Sequence, residues 1–387
     1  MAVMLRMAET VDAVVIGGGP GGSAAARALA AAGWKTVLLE RFASPRRKVC
    51  GEFLSPEAGE TLRALGLLDT VSALEPVRIG SVMIAPAGGA PLKVPLPKPA
   101  FGVSRSGLDA SLLEAARRAG ADVRAGTAAL SVRREGGAYA VAARGRGGEE
   151  TIRARVVIGA WGAGGRGAFS DPRVSRGRAA RLLGVKAHFE GVQTGPVTEL
   201  YIFRGGYMGL SPVPGGLVNA AALIDPRTFG GAKPSVADWI GAAASRHPEL
   251  ARRLDGARPV PGSEAAVSPV VPDAKPLAWA GCPLVGDAAL RVPPLVGSGM
   301  SIALRSGLVC SHLADRFLRG GITEEAWRRE YERFFRRDCA GALRLGRLLH
   351  AAFGLPIAAR LLAAIGRAAP GQAEAVVRRT RIAVPDG

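Results

Sequence analysis

A chain of 387 residues has room for two or three domains, and with 48% apolar and 21% charged residues it can bury a large core, which excludes intrinsic disorder. Its formal charge of +19 suggests nucleic acid at first sight, but seven of its 51 basic residues are Lys, and the many Arg are scattered without a basic–aromatic stripe. With Ala and Gly also abundant, this is coding bias rather than a phosphate-reading surface, and no nucleic-acid partner is expected.

The elements follow in order. Residues 11–16 (VDAVVI) are a short β-branched apolar run, the pattern of a buried strand. Gly17-Gly18-Gly19-Pro20-Gly21-Gly22 satisfies G-x-G-x-x-G, an Ala-rich helix fills 23–32, and a second strand at 36–39 ends on Glu40. The spacing has a physical reason. Gly17 permits the tight turn, Gly19 lets a pyrophosphate approach the backbone, and Gly22 lets the helix pack on the strand. The helix N-terminus faces the phosphates. Glu40, followed by Arg41, stands where a carboxylate binds both hydroxyls of an adenosine ribose, which disfavours a 2′-phosphate. By itself this unit fits NAD or FAD.

Next comes Pro45-Arg46-Arg47-Lys48-Val49-Cys50-Gly51-Glu52-Phe53, then Val103-Ser104-Arg105-Ser106-Gly107-Leu108-Asp109 opening a helix over 107–119 whose Leu108, Leu112 and Leu113 share one side. A strand end reads Ala154-Arg155-Val156-Val157-Ile158-Gly159-Ala160-Trp161-Gly162-Ala163. Strands at 80–84, 91–95, 185–189, 198–203 and 217–224, with helices around 235–254, predict a second, antiparallel-sheet domain. Near the end stand Pro283-Leu284-Val285-Gly286-Asp287-Ala288-Ala289 and Pro294-Leu295-Val296-Gly297-Ser298-Gly299-Met300, before a helix from 301 to 318. Residues 322–350 and 351–368 read as helices with an apolar face (Leu343, Leu345, Leu348, Leu349, Phe353) and a basic one (Arg344, Arg347, Arg360, Arg367). Packing as ordinary helices is the expectation, with peripheral membrane contact as the alternative.

Cys50, Cys282, Cys310 and Cys339 lack C-x-x-C spacing, and His188, His247, His312 and His350 form no metal box, so neither zinc nor disulfides are expected. The first residues contain no long apolar stretch. A reducing cytoplasm is the default, with membrane association as an extension.

In this order, the two glycine-rich segments and the strand end between them resemble the p-hydroxybenzoate hydroxylase-like flavoprotein superfamily. The Cys-Gly after a basic turn, with an Arg before a helix, is similar to its geranylgeranyl reductase-related branch. The resemblance implies an α/β fold: a Rossmann-like, three-layer FAD-binding domain (8–75, 100–185, 277–320), interleaved with an antiparallel-sheet substrate domain (76–99, 186–276), plus a C-terminal helical region (321–387). It implies non-covalent FAD, reduced by transient NADPH or NADH, and no metal. FAD would be held by Gly17, Gly19, Gly22, Glu40, Arg41, Lys48, Cys50, Gly51, Arg105, Gly162, Asp287, Pro294, Gly297, Ser298, Gly299 and Met300. Asp287 would bind the ribityl chain. Trp161 stands where the superfamily usually has Asp. Cys50 is the catalytic candidate.

The flavin carries the reaction. Three chemistries fit the frame: hydroxylation of an apolar, phenolic or polyketide-like molecule by O2 through a flavin C4a-hydroperoxide, alkene reduction of a prenyl lipid, and halogenation. The first is the leading expectation, the second the alternative. A non-catalytic flavin-binding protein is a further, lesser one. The stretch Tyr207-Met208-Gly209-Leu210-Ser211-Pro212 lacks both Trp of the halogenases' W-x-W-x-I-P. It keeps the Tyr and Pro of the prenyl reductases' Y-x-W-x-F-P. Tyr201, Tyr207 and Pro212 are the candidate substrate contacts; His188 and Arg204 share their sheet and read as structural.

Overall fold

The computed structural model describes residues 9–165, 169, 182–231, 233–272 and 276–382. Two sheets organise it. The first has six strands in the order Asp122–Ala125, Thr36–Glu40, Glu9–Ile16, Gly148–Gly159, Ala138–Gly145, Ala128–Glu135. The first four run parallel, and the last two add an antiparallel meander. Glu9–Ile16 has parallel neighbours on both sides, and its Ala13–Ile16 stretch is fully buried, which is why that stretch is continuously apolar. Helix Pro20–Ala31 packs between helices Arg105–Arg118 and Gly299–Leu318 on one face of this sheet.

The second sheet has nine strands and is mixed. Strand Val197–Phe203 runs antiparallel to Gly206–Val213 but parallel to Val77–Pro86. The purely antiparallel sheet expected from the sequence is corrected here. Val77–Pro86 precedes the middle third of the FAD domain, and so long a connection allows a parallel neighbour. Strands Leu92–Gly102 and Leu182–Glu190 belong wholly to this sheet, so the expected domain boundaries at 99/100 and 185/186 fall inside strands. Residues 1–8, 166–168, 170–181, 232, 273–275 and 383–387 lie outside the described residues. Strand Gly206–Val213 (GYMGLSPV) was not anticipated, because its glycines and proline obscure the alternation.

One face of the second sheet packs on helices Val236–Ala244 and Pro248–Arg253 through Tyr201, Phe203, Trp239 and Leu250. The other meets the C-terminal helices through Ile202, Tyr207, Leu223, Phe353 and Ala359. The helix expected over 322–350 is interrupted by a π-helical turn, Phe335–Cys339, and a further helix, Pro370–Arg379, follows Pro356–Ala368. The basic side chains are not simply a solvent face. Arg360 and Arg367 donate to the carbonyls of Ala87 and Ala90, fastening the tail to the turn between Val77–Pro86 and Leu92–Gly102. No helix among the described residues is long and apolar enough to cross a membrane.

Candidate active site

The first glycine-rich loop is built for close backbone contact. Gly17 has φ +115°, and a Cβ there would lie 2.3 Å from the Ala160 carbonyl oxygen. A Cβ on Gly22 would lie 1.9 Å from the Gly17 carbonyl oxygen, so helix and strand touch through bare backbone. Gly19, by contrast, faces open space; its nearest neighbour is Lys48 Nζ at 3.9 Å from the Cβ position. An anion entering there meets the free amides that open helix Pro20–Ala31. Glu40 closes the other side. Its carboxylate accepts the Gly18 N–H at 2.8 Å and the Phe42 N–H at 3.0 Å, which pins it beside the loop. Arg41 is exposed and lies over the Phe42 ring at 4.7 Å, so its guanidinium turns to that ring.

The cations beside this loop are held by one acid. Arg105 opens helix Arg105–Arg118, and Asp109, four residues on, shares its face. Asp109 is 2% exposed; it accepts Arg105 Nε and Lys48 Nζ, both at 2.8 Å. Burial works against the Arg105 charge, but Asp109, Cys50 and Asp287 outweigh it and raise its pKa. Burial raises the carboxyl of Asp287, in the turn Gly286–Ala288, above its ordinary 3.8, against the pull of Arg105, Arg291 and Lys48. The Gly286 N–H of that turn is fixed by Ser306 Oγ at 2.9 Å. Lys48 and Arg105, far apart in sequence, thus meet at Asp109.

The second glycine-rich segment makes the turn Pro294–Val296, and Gly297 (φ +69°) reverses the chain into the 20-residue helix Gly299–Leu318. Phe53 lies against Gly297, 2.8 Å from where a Cβ would stand. That helix start stabilises negative charge on a group placed before it. Ser298 departs from expectation. Its side chain is fully buried, donating to the Thr380 carbonyl at 3.2 Å, with Arg381 Nη1 at 3.4 Å. Its hydroxyl is taken by the C-terminal segment, which leaves only its backbone for a cofactor. Gly162 (φ +71°) opens a short 3-10 turn in open space. The Trp161 ring fills the place where Gly159 would carry a Cβ and meets Phe169 at 4.8 Å, so an apolar plate stands where the superfamily has Asp.

Cys50 is half-buried against the cluster that contains Met300. Burial pushes its thiol up from the ordinary 9.0, against the pull of Arg105, so it is neutral near pH 7. Its surroundings do not activate it as a thiolate. Gly51 is exposed with open space around it.

The substrate candidates divide by strand parity. Tyr201 is corrected: it is fully buried on the helix-covered face, its hydroxyl donating to Glu199 at 2.6 Å and its ring edge-on to His247. Tyr207 lies on the opposite face, packed with Leu295 of the flavin-turn segment, and its hydroxyl is buried without a hydrogen-bond partner. Pro212 sits in the sheet beside Val218, its carbonyl against Gly102. Arg204 is exposed.

The sequence reading missed Glu52 and Lys186 and took His188 as structural. Glu52, between Cys50 and Phe53, has φ +53° and is 1% exposed. Its carboxylate meets Lys186 Nζ at 3.0 Å and His188 Nε2 at 2.5 Å, and accepts the Arg105 N–H at 3.0 Å. Burial alone would raise the Glu52 carboxyl, but His188, Lys186 and the Arg105 amide hold it below its ordinary 4.5. A left-handed backbone at a non-glycine residue costs roughly 1–2 kcal/mol, and the carboxylate's bonds offset it. The available signal was Lys186 and His188 at i and i+2 in an otherwise apolar strand.

A nucleotide loop, a pinned ribose-binding acid, cations beside the phosphate path and a helix start beyond Gly297 are the parts FAD needs, and the bare Gly17–Gly22 contact leaves room for it. The class follows: the chain is an FAD-dependent oxidoreductase. Residues 10–201 match the FAD binding domain family. The chain is similar to reductases of isoprenoid lipids and quinones. It is 28% identical over 378 residues to menaquinone reductase of Mycolicibacterium smegmatis, covering 89% of this chain and 85% of that protein. It is 25% identical over 344 residues to digeranylgeranylglycerophospholipid reductase of Methanocaldococcus jannaschii, covering 85% and 83%. The fold matches a geranylgeranyl bacteriochlorophyll reductase-like protein of Thermoplasma acidophilum (TM-score 0.77, 21% identity, 93% and 92% covered). It equally matches a myxobacterial chondrochloren halogenase (TM-score 0.77, 24% identity, 96% and 91% covered).

Proposed function

We propose that this protein reduces a carbon–carbon double bond of an isoprenoid lipid, with NADPH or NADH as transient reductant. One observation carries the reading: the sequence kinship runs over most of the chain, substrate sheet included, and the named relatives are reductases. The fold alone is shared with halogenases and does not choose between chemistries. The monooxygenase reading therefore stands second to it.

Bound reduced FAD would supply a hydride. The chain's own residues bind and orient. Gly17, Gly19 and Gly22 would admit the pyrophosphate, Glu40 the ribose, and Asp287 the ribityl hydroxyls. Asp109 holds Lys48 and Arg105 in place so that neither cation wanders from the cleft. Phe53 and the Pro294–Val296 turn would put apolar surface beside the flavin, suited to a hydrocarbon chain. Cys50 stays a neutral thiol there, able to donate its proton rather than attack.

The test is anaerobic incubation of the FAD-loaded, chemically reduced protein with a geranylgeranyl-bearing lipid, followed by mass spectrometry. Gain of two hydrogens per double bond, with flavin reoxidation in step, is expected. No hydrogenated product without oxygen, together with an oxygen-inserted product in air, would reject the reductase reading for the monooxygenase one.

A further inference from the structure

Strand Leu182–Glu190 presents Lys186 and His188 on one face, and both converge on Glu52. The two bases lie 3.0 Å from each other, and Lys186 is 2% exposed. A buried, ion-paired carboxylate in a backbone conformation that side chains rarely adopt is no economical core. Apolar packing would stabilise the fold as well or better. The cluster instead borders a cavity of about 180 Å³. Arg47, Glu52, Lys186 and His188 are its charged and titratable lining, and Val213 and Leu217 are among its apolar lining.

Charge selects the occupant. Glu52 cancels Lys186, while Arg47, exposed at the cavity, has no carboxylate partner among the described residues. A net positive charge remains even with His188 neutral. Position selects the role. Glu52, which lines the cavity, immediately precedes Phe53, which lies on Gly297, so the cavity lining is one residue from the second glycine-rich turn.

We propose that this cavity is a head-group site for an oxygen anion, a phosphate or a carboxylate, on a substrate whose apolar chain lies along the Val213 and Leu217 wall. Arg47 and Lys186 bind the anion. Glu52 is a positioning residue that keeps Lys186 and His188 aimed at the cavity. The apolar chain rests on the isoprenoid reading above; the anion site does not.

The experiment titrates FAD-loaded protein with geranyl phosphate, geranic acid and geraniol by calorimetry. One or both anions should bind at least about tenfold more tightly than the alcohol, the effect expected of one charge-assisted hydrogen bond. Preference for phosphate or for carboxylate names the head group. Arg47→Met, at an exposed position that leaves the fold intact, should erase the advantage. The double variant Lys186→Met/Glu52→Gln, which removes the buried pair together, should do the same. Equal binding of all three probes, no binding of any, or an advantage that survives either variant would overturn the proposal. Head-group preference without double-bond reduction would reject the reductase reading and keep this site. Reduction without preference would do the reverse.

Discussion

Replacing Gly22 by Ala should release FAD while leaving the fold standing. The new Cβ would lie 1.9 Å from the Gly17 carbonyl oxygen and 2.9 Å from Ala160 Cβ. Helix Pro20–Ala31 would have to retreat by roughly 1.5 Å to reach the 3.4 Å at which ordinary contact begins. It has little room. On its far side the Gly21 carbonyl oxygen is 2.4 Å from the Cβ position of Gly307, in the helix packed against it. The strain should cost about 1–3 kcal/mol, as overpacking does. The amides at the helix start would move with it. A phosphate bond of about 2.9 Å stretched beyond about 3.5 Å is no longer a hydrogen bond. Each charge-assisted bond lost is worth about 1.5–3 kcal/mol, so FAD affinity should fall by about 10- to 100-fold. Equilibrium titration of apoprotein with FAD, followed by flavin fluorescence, reads the affinity; thermal unfolding of the apoprotein reads the strain separately. An FAD Kd within about twofold of the parent's would refute the phosphate-loop geometry.

Other outcomes follow from the same contacts. Because the Glu52 carboxyl is held below 4.5, its stabilisation is complete above that value and is lost as pH falls through the lowered one. Glu52→Gln should therefore cost about 3–5 kcal/mol near neutrality, the loss expected on breaking a buried pair, and the gap should close below pH 4.5; a gap unchanged on acidification contradicts this. Since burial raises the Cys50 thiol above 9.0, alkylation by iodoacetamide, measured against Cys50→Ser, should still be climbing with pH at pH 9, and a rate already level below pH 9 would show an activated thiolate instead. Tyr201→Phe removes a buried bond to Glu199 on the helix-covered face. It should lower stability by about 1 kcal/mol and leave FAD affinity and turnover unchanged; altered turnover would return Tyr201 to the substrate side.

The sequence by itself determined whatever short-range geometry dictates. A buried strand, a turn that only glycine can make, a helix start and an acid at the next strand end lie within about thirty residues. Their spacing is set by peptide and phosphate dimensions, so Gly17, Gly19, Gly22 and Glu40 stand where the pattern placed them. The Asp287 and Gly297 turns were legible for the same reason. Tertiary structure decided the rest. Tyr201 and Tyr207 sit on adjoining strands of one apolar sheet, and only the packed helices show which face meets Trp239 and Leu250 and which meets the C-terminal helices and Leu295. Ser298 lost its hydroxyl to Thr380, 82 residues away, a contact no local pattern encodes. Glu52 and Lys186 are 134 residues apart and gain meaning only when strand Leu182–Glu190 is laid beside the Cys50 segment. Periodicity reports which residues face inward; which inward-facing residues meet is settled by long-range pairing, whose loop-closure cost only the assembled core repays.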